Sequence, residues 1–183
     1  MTEHQQHLLN YLQANVAMRH TITDKKPGLY WCIEDYLLQH GKWFESQSLT
    51  KDERAKLLLV LGKERFPIKE CFSNSQKVIV YHKRAGLKYF EGYFFREGIC
   101  FPILHGWLSL NDKVIDLTAR LKQPRHSGRL RNRVLGEFPE GRVYFGAEMD
   151  LEWILSRILR TKSWGSLLDS WEEGFPLLTK GEW

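Results

Sequence analysis

The sequence predicts an α+β fold in which helices come before and after a block of strands. Apolar residues recur with the period of a helix near both ends of the chain. The middle of the chain instead holds runs rich in β-branched and aromatic residues, separated by turn residues. Because these runs follow one another directly, we expect a mainly antiparallel sheet. We predict a single domain of 183 residues with a helical N-terminal part, a central part and C-terminal helices, over residues 1–66, 67–146 and 147–183.

The N-terminal part is expected to contain three helices. Residues 3–18 have an amphipathic pattern, and a second helix is predicted to begin at residues 24–27 and to end at Gly41. Thr50 begins a capping box, which predicts a third helix running to residue 61. The apolar stripes of these helices are expected to pack on the later sheet.

A fourth helix is predicted to follow Pro67, because residues 68–82 repeat apolar side chains at helical spacing. This helix carries Cys71 in its first turn and is expected to pack on the sheet. The strands that follow are predicted over residues 88–95, 99–110, 113–118 and 142–145. A helix over residues 150–160 comes next, and a final short helix is expected to hold Leu167, Leu168 and Trp171.

Two of the predicted strands are joined by a pair of turn residues. Asn111 and Asp112 tolerate the left-handed backbone conformation of a two-residue hairpin turn. If they are the two central residues of the turn, Leu110 pairs with Lys113, and this pair determines the register of the whole hairpin.

This register predicts a His-Asp pair on one face of the hairpin. Trp107 is then opposite Asp116 and His105 is opposite Thr118, so all four side chains share a face. His105 and Asp116 become diagonal neighbours with backbones about 7–8 Å apart, a separation that a hydrogen bond between imidazole and carboxylate can bridge. The alternative is an ordinary polar pair on a half-exposed sheet, with Trp107 as a packing residue.

Cys71 is the candidate nucleophile beside this pair. Backbone N–H groups in the first turn of a helix are unpaired and the helix dipole favours an anion there, so a thiolate or an oxyanion would be stabilised. A thiol becomes a strong nucleophile when an imidazole takes its proton, and a third group orients the imidazole. Free cysteines are also commonly buried core residues, and we assign Cys32 and Cys100 to that role.

The order of Cys71, His105 and Asp116 resembles the core of papain-like and transglutaminase-like cysteine enzymes. More narrowly, four stretches resemble a poorly characterised family of bacterial and phage proteins, whose motifs run roughly C-x-N-[AS], Y-x-E-G-Y, P-x-x-H-[AG]-W and D-x-T. The resemblance implies an α+β fold with a catalytic Cys-His-Asp site at these three positions, and it does not supply a substrate. The match covers about residues 66–146, with the four stretches at residues 70–75, 89–93, 102–107 and 114–118.

Three further residues are candidates for oxyanion or substrate contacts, namely Asn74, Glu91 and Trp107. Papain-like proteases carry an oxyanion-hole Gln shortly before the cysteine, where residues 65–68 of this chain read Arg-Phe-Pro-Ile. Asn74 or a backbone N–H group would have to replace that Gln. Glu91 lies among aromatic residues on a predicted strand and could position a substrate. The alternative for Glu91 is a structural acid, paired with an Arg or hydrogen-bonded to a buried N–H group.

The positive charge of the chain is concentrated after the hairpin. The formal net charge is +5, and no acidic residue occurs between Asp116 and Glu137. This basic stretch could contact a protein partner, including a host protein if the chain is viral, or the phosphates of nucleic acid. No recognisable nucleic-acid motif accompanies the charge, which disfavours the second possibility. If the stretch binds a partner, the candidate contact residues are Arg125, Arg129, Arg131 and Arg133. The alternative is that the stretch is a flexible basic loop.

The cysteine count, the N-terminus and the lengths of the apolar runs indicate the cellular compartment of the protein. Three cysteines, an odd number, fit a reducing cytoplasm better than a disulfide framework. The N-terminus lacks the basic and apolar regions of a signal peptide. No apolar run approaches the roughly 20 residues that span a bilayer. We therefore expect a cytoplasmic protein of a bacterium or phage, without membrane association.

These observations lead to three functional hypotheses. The first is a cysteine-dependent acyl-transfer enzyme without cofactors, which hydrolyses an amide of a protein or peptide as a peptidase, amidase or glutamine deamidase. The second is a non-catalytic binding protein of the same fold, which holds a protein or nucleic-acid partner with residues 120–133. The third is zinc binding by Cys71, His105 and Asp116, which the lack of a close-spaced ligand pair disfavours, so no metal site is expected.

Overall fold

The computed structural model describes residues 1–121, 130 and 132–183. The helices of this described part are α1 (Glu3–Ile22), α2 (Ile33–His40), α3 (Lys51–Leu61), α4 (Cys71–Tyr81), α5 (Leu151–Thr161) and α6 (Pro176–Lys180). Its strands are β1 (Lys42–Phe44), β2 (Lys88–Arg96), β3 (Ile103–Leu110), β4 (Lys113–Arg120), β5 (Arg133–Leu135) and β6 (Arg142–Met149). Short 3₁₀ helices cover Lys83–Ala85 and Trp171–Glu173.

The strands form one antiparallel sheet in the order β1-β6-β2-β3-β4-β5. The predicted α+β class is therefore confirmed. Helix α4 packs against β2, β3 and β4, as expected for the cysteine-bearing helix, while α1 and α2 pack near β2 and β6.

The two faces of the sheet bury different groups of side chains. The larger core contains residues of α1 to α4 together with one set of alternating strand residues, such as Tyr89 and Leu108. Trp107 alternates with Leu108 along β3 and belongs to the smaller core on the opposite face. That smaller core is mainly aromatic and consists of Phe44, Phe90, Phe94, Trp107, Val114, Val134 and Tyr144.

Local signals explain where several helices begin and end. Helix α3 begins at the predicted capping box, in which Thr50 and Glu53 each bond the backbone N–H of the other, and ends at Gly62. Helix α2 ends at Gly41 as predicted, but it begins at Ile33 rather than near residue 27. The Asp35 carboxylate accepts the N–H of Trp31 at 2.9 Å, which holds the preceding segment outside the helix.

The predicted last helix around Leu167 and Leu168 is wrong. Both residues are fully buried in irregular backbone, because their N–H groups donate to the Glu91 carboxylate instead of to helical carbonyl groups. The last helix lies later, at Pro176–Lys180. In the described part of the chain, no helix has both the length and the apolar character that crossing a membrane would require.

Candidate functional site

The hairpin turn between β3 and β4 forms as predicted. Asn111 and Asp112 have left-handed backbone conformations, with φ of 50° and 62°. Leu110 pairs with Lys113. A two-residue turn of this kind follows the right-handed twist of its strands, and residue types that tolerate positive φ favour it.

The two strands separate beyond Leu108 and Ile115, which are the last residues to pair between them in the described part of the hairpin. On its other edge β4 pairs with β5 at Ile115, Asp116 and Arg120, with a register shift between Asp116 and Arg120. The predicted pairings of Trp107 with Asp116 and of His105 with Thr118 are therefore not part of the β3–β4 ladder. A register shift of this kind re-aims side chains locally, and here it lies beside the candidate site.

His105 and Asp116 nevertheless make the predicted contact. His105 Nε2 lies 2.7 Å from Asp116 Oδ2, with Asp116 fully buried and His105 9% exposed. The other carboxylate oxygen, Oδ1, accepts the backbone N–H groups of Thr118 and Ala119 at 2.9 and 2.8 Å, and the Thr118 hydroxyl group at 3.0 Å. The Tyr144 hydroxyl group donates to Oδ2 at 2.9 Å.

These contacts keep the buried carboxylate of Asp116 ionised. Burial raises the pKa of Asp116, but the charge and hydrogen bond of His105, together with the N–H groups of Ala119 and Thr118, outweigh burial and hold the pKa below its usual value. The five hydrogen bonds also fix the orientation of the carboxylate, and through it the orientation of the imidazole.

The imidazole of His105 contacts the Cys71 side chain as well as Asp116. Burial lowers the pKa of His105, but the charge and hydrogen bond of Asp116, followed by the hydrogen bond and charge of Cys71, outweigh it and raise the pKa. Because Asp116 takes the Nε2 position, Nδ1 is the ring nitrogen left for the sulfur. The three predicted catalytic residues are thus brought together in one line of contacts.

Cys71 is the first residue of α4 and is half-buried. The first backbone bond of the helix runs from the N–H of Asn74 to the carbonyl group of Glu70 at 2.8 Å. The N–H groups of Cys71, Phe72 and Ser73 therefore have no acceptor within the helix. They point out of its N-terminus, where the helix dipole favours negative charge.

Gly106 allows α4 to come close to His105. A Cβ atom at Gly106 would lie 2.9 Å from the Phe72 ring and 3.0 Å from the Tyr89 hydroxyl oxygen. The Ser75 hydroxyl group donates to the Gly106 carbonyl group at 3.5 Å. The residue after His105 is therefore a contact point for the first turns of α4, so that Cys71 reaches the imidazole.

Asn74, the predicted oxyanion residue, lies in the same helix but has another contact. Its side chain is 3% exposed, and Nδ2 donates to the carbonyl group of Pro67 at 2.8 Å. This bond ties the segment before α4 to the helix. The backbone N–H groups of the first turn are accordingly the better-placed oxyanion donors.

Trp107, a predicted substrate-contact residue, is fully buried in the smaller core. Its ring is stacked with that of His105, with centroids 6.3 Å apart, and makes edge contacts with Phe44 and Tyr144. This placement favours the packing role over a contact with substrate, and it gives the imidazole an aromatic support.

Glu91, the second predicted substrate-contact residue, is also fully buried. Its oxygens accept the hydroxyl groups of Tyr89 and Ser166 at 2.7 and 2.6 Å and the backbone N–H groups of Leu167 and Leu168. Burial raises the pKa of Glu91 against these bonds. The placement favours the alternative of a structural acid bonded to buried N–H groups.

The predicted partner-binding residues lie mostly outside the described residues, as Arg125, Arg129 and Arg131 do. Arg133 is described and half-buried, and it donates to the carbonyl groups of Thr118 and Phe66 at 2.9 Å each. These bonds join the end of β4 to the segment before α4, which favours a structural role for Arg133.

The other two cysteines differ from each other. Cys32 is buried as expected, and burial raises the pKa of its thiol to about 11. The assignment of Cys100 to the core is wrong, because this residue is exposed in the turn between β2 and β3. A flanking apolar pair, Ile99 and Phe101, suggested burial, but Phe101 is itself 65% exposed.

Sequence reasoning missed two residues of the site, Tyr144 and Gly106. Tyr144 lies on β6, and no local pattern links it to an aspartate on β4. Gly106 did carry a signal, because a glycine within a strand often marks the close approach of another backbone or side chain.

No family model, no curated protein and no solved structure matches this chain. In the expected motif one residue separates the cysteine from the asparagine, whereas Phe72 and Ser73 separate Cys71 from Asn74 here. Within the described ranges, no group of three or more His, Cys, Asp or Glu side chains is arranged to hold a metal ion.

Proposed function

We propose that this protein is a cysteine-dependent acyl-transfer enzyme that hydrolyses an amide. The observation that carries the proposal is the line of contacts from Cys71 through His105 to the fully buried Asp116. A pairing of His105 and Asp116 alone would be an ordinary buried polar pair. Cys71 at the other end of the pair is only partly buried, and it supplies the nucleophile.

The proposed reaction has two steps. The Cys71 sulfur attacks the carbonyl carbon of the amide as His105 takes the thiol proton, and His105 then passes this proton to the leaving amine as the C–N bond breaks. Water then attacks the thioester carbon, His105 takes a proton from the water, and the acid leaves as the C–S bond breaks. Asp116 keeps its charge throughout, orients the imidazole and stabilises the imidazolium ion.

The oxyanion of each tetrahedral intermediate needs donors beside the sulfur. The N–H groups of Cys71, Phe72 and Ser73 meet this need, because they lack helical acceptors and lie at the positive end of the α4 dipole. Hydrolysis is preferred to crosslinking since no second-substrate groove is apparent at the described part of the site.

Alkylation of Cys71 tests the proposal directly. In a Cys100→Ser background, iodoacetamide should label Cys71 at about pH 6, because in the proposed reaction His105 takes the thiol proton, whereas the buried Cys32 has a pKa of about 11. Mass spectrometry would locate the label and give its rate. We expect Cys71→Ala to abolish labelling and His105→Asn to slow it by about 100-fold, the lower range for loss of a general base.

Equal labelling at pH 6 with and without His105 would contradict the proposal, as would labelling that persists in Cys71→Ala. Once reactivity is established, incubation with glutamine-containing peptides separates the possible reactions. Release of ammonia indicates deamidation, whereas new peptide N-termini indicate a peptidase.

A further inference from the structure

A groove lies between α3 and the C-terminal end of α4, away from the Cys-His-Asp site. Its volume is about 520 Å³. We call it the α3–α4 groove, and its principal lining residues are Lys56, Leu59, Val60, Tyr81, Lys83 and Arg84. Cys71 begins α4 and Tyr81 ends it, so the groove lies about 15 Å along the helix from the sulfur.

The apolar part of this groove is unusually open to solvent. Leu59 is 87% exposed and Tyr81 is 72% exposed, and the partly buried Val60 and Val80 continue the apolar surface inward. Leu58 precedes Leu59 on α3, and its exposed fraction is 53%. Adjacent large apolar side chains at such exposure mark a surface that another molecule can cover.

The charged part of the groove has a single sign. Lys56, Lys83 and Arg84 line it together with His82, and no acidic side chain is among the described residues that form its wall. None of the three cations makes an ion pair with the described part of the chain. Lys83 and Arg84 suit the negative end of the α4 dipole, but this does not account for Lys56, which lies within α3, or for the exposure of Leu59.

We propose that the α3–α4 groove binds an acidic segment of another protein that carries aliphatic or aromatic side chains between its carboxylates. The three cations, which form no ion pair within the described part of the chain, are complementary to the carboxylates. Leu59, Val60 and Tyr81 provide the apolar contacts. Nucleic acid matches this groove less well, because it would use the cations but would leave the aliphatic side chains without a partner. This surface is independent of the proposed catalytic site, since it shares no residue with it.

A labelled amphipathic peptide tests the proposal in the full-length protein. The probe is a fluorescein-labelled helical peptide with leucines at i, i+3, i+4 and i+7 and glutamates elsewhere, and its binding is followed by fluorescence anisotropy. We expect the double variant Lys83→Glu/Arg84→Glu, and separately Leu59→Ala, to weaken binding about tenfold or more. The exposed residues Leu59, Lys83 and Arg84 can be changed without disturbing the core.

Matched changes elsewhere on the surface serve as controls. Lys25→Glu/Lys26→Glu alters net charge equally at an exposed site far along the chain, and Leu159→Ala removes a leucine that is 69% exposed on α5. Both should leave peptide affinity within about twofold of the unaltered protein. Circular dichroism spectra of all variants should coincide.

Three results would overturn the proposal. The first is no detectable binding of the glutamate peptide, and the second is an equal loss in the groove variants and their controls. The third is tighter binding of a labelled single-stranded oligonucleotide that the groove variants abolish, which would assign the groove to nucleic acid. Cys71 alkylation is unaffected by any of these outcomes, so failure here is distinct from failure of the proposed catalytic function.

Discussion

The buried carboxylate of Asp116 is surrounded by hydrogen-bond donors. One oxygen accepts two backbone N–H groups and a hydroxyl group, and the other accepts His105 and Tyr144. A buried ion pair stabilises a fold only when such additional bonds satisfy its remaining lone pairs. The pair is therefore arranged to stay ionised, and the proposed transfer of the thiol proton from Cys71 to His105 depends on this charge.

The pH dependence of stability should report this ion pair. The pKa of Asp116 is lowered and the pKa of His105 is raised in the folded state. The pair therefore stabilises the fold fully between the ordinary pKa values of aspartate and histidine, about 3.9 and 6.5. Its contribution is lost as the pH rises through the raised pKa of His105, or falls through the lowered pKa of Asp116.

We expect Asp116→Asn to lower the free energy of unfolding by about 3–5 kcal/mol near pH 5.5, and by less at strongly alkaline pH. Urea denaturation at several pH values measures this difference. Asp112→Asn is the control, because Asp112 is exposed and its surface pair with Lys42 should contribute at most about 1 kcal/mol. A penalty for Asp116→Asn that is constant or grows toward alkaline pH would contradict the ion pair.

At this scale the sequence reveals contacts within one hairpin but not contacts across the fold. His105 and Asp116 could be paired from the two-residue turn and the alternation of strand side chains alone. Tyr144 lies on β6, and its contact with Asp116 depends on the order of the strands in the whole sheet. Local periodicity in the sequence does not reveal that order. Glu91 shows the same limit, since its partners at residues 166–168 lie far along the chain.

Helix α4 and strand β3 together bring the sulfur to the imidazole. The helix lies against Gly106, where there is room for no side chain larger than hydrogen. Capping signals predicted α3 correctly, and the spacing of apolar residues predicted α4, although α4 begins at Cys71 rather than just after Pro67. The three-residue strands β1 and β5 are too short for any periodicity to reveal.

Gly106→Ala should therefore move the first turn of α4 away from His105. The new Cβ atom would meet Phe72 at 2.9 Å, which costs about 1–3 kcal/mol of stability if the surroundings yield. We expect alkylation of Cys71 near pH 6 to slow by about tenfold or more, as the contact with the imidazole lengthens. Comparing the labelling of Cys71 and Cys100 in the same sample measures this effect.

Cys100 is the internal control in that experiment because it is exposed and lies in the turn between β2 and β3. Its labelling should be unchanged in Gly106→Ala. If Cys71 reacts as fast in the variant as in the unaltered protein while the fold is retained, the close approach of α4 to β3 is not needed for thiol reactivity.

Across the whole molecule, the segment after α5 ties the cysteine helix to the sheet. Gln76 of α4 donates to the Gly165 carbonyl group at 2.5 Å and accepts its N–H group at 3.3 Å. The next residues, 166–168, bond to Glu91 in the middle of β2. The C-terminal segment thus contacts both elements that carry or support the candidate site, although it contributes no reactive group to it.

Glu91→Gln should release this segment without unfolding the sheet. The carboxylate accepts two backbone N–H groups and two hydroxyl groups, whereas a glutamine amide nitrogen would face some of these donors and leave them unsatisfied, at about 1–3 kcal/mol each. Hydrogen exchange of the Leu167 and Leu168 amides should accelerate strongly, and Cys71 alkylation should slow because α4 loses its support through Gln76.

Glu148→Gln is the control, since Glu148 is exposed and pairs with Lys88 at the surface, where such changes alter stability by about 0.5 kcal/mol or less. Accelerated exchange at residues 167 and 168 with unchanged reactivity of Cys71 would show that the sheet alone holds the cysteine helix in place.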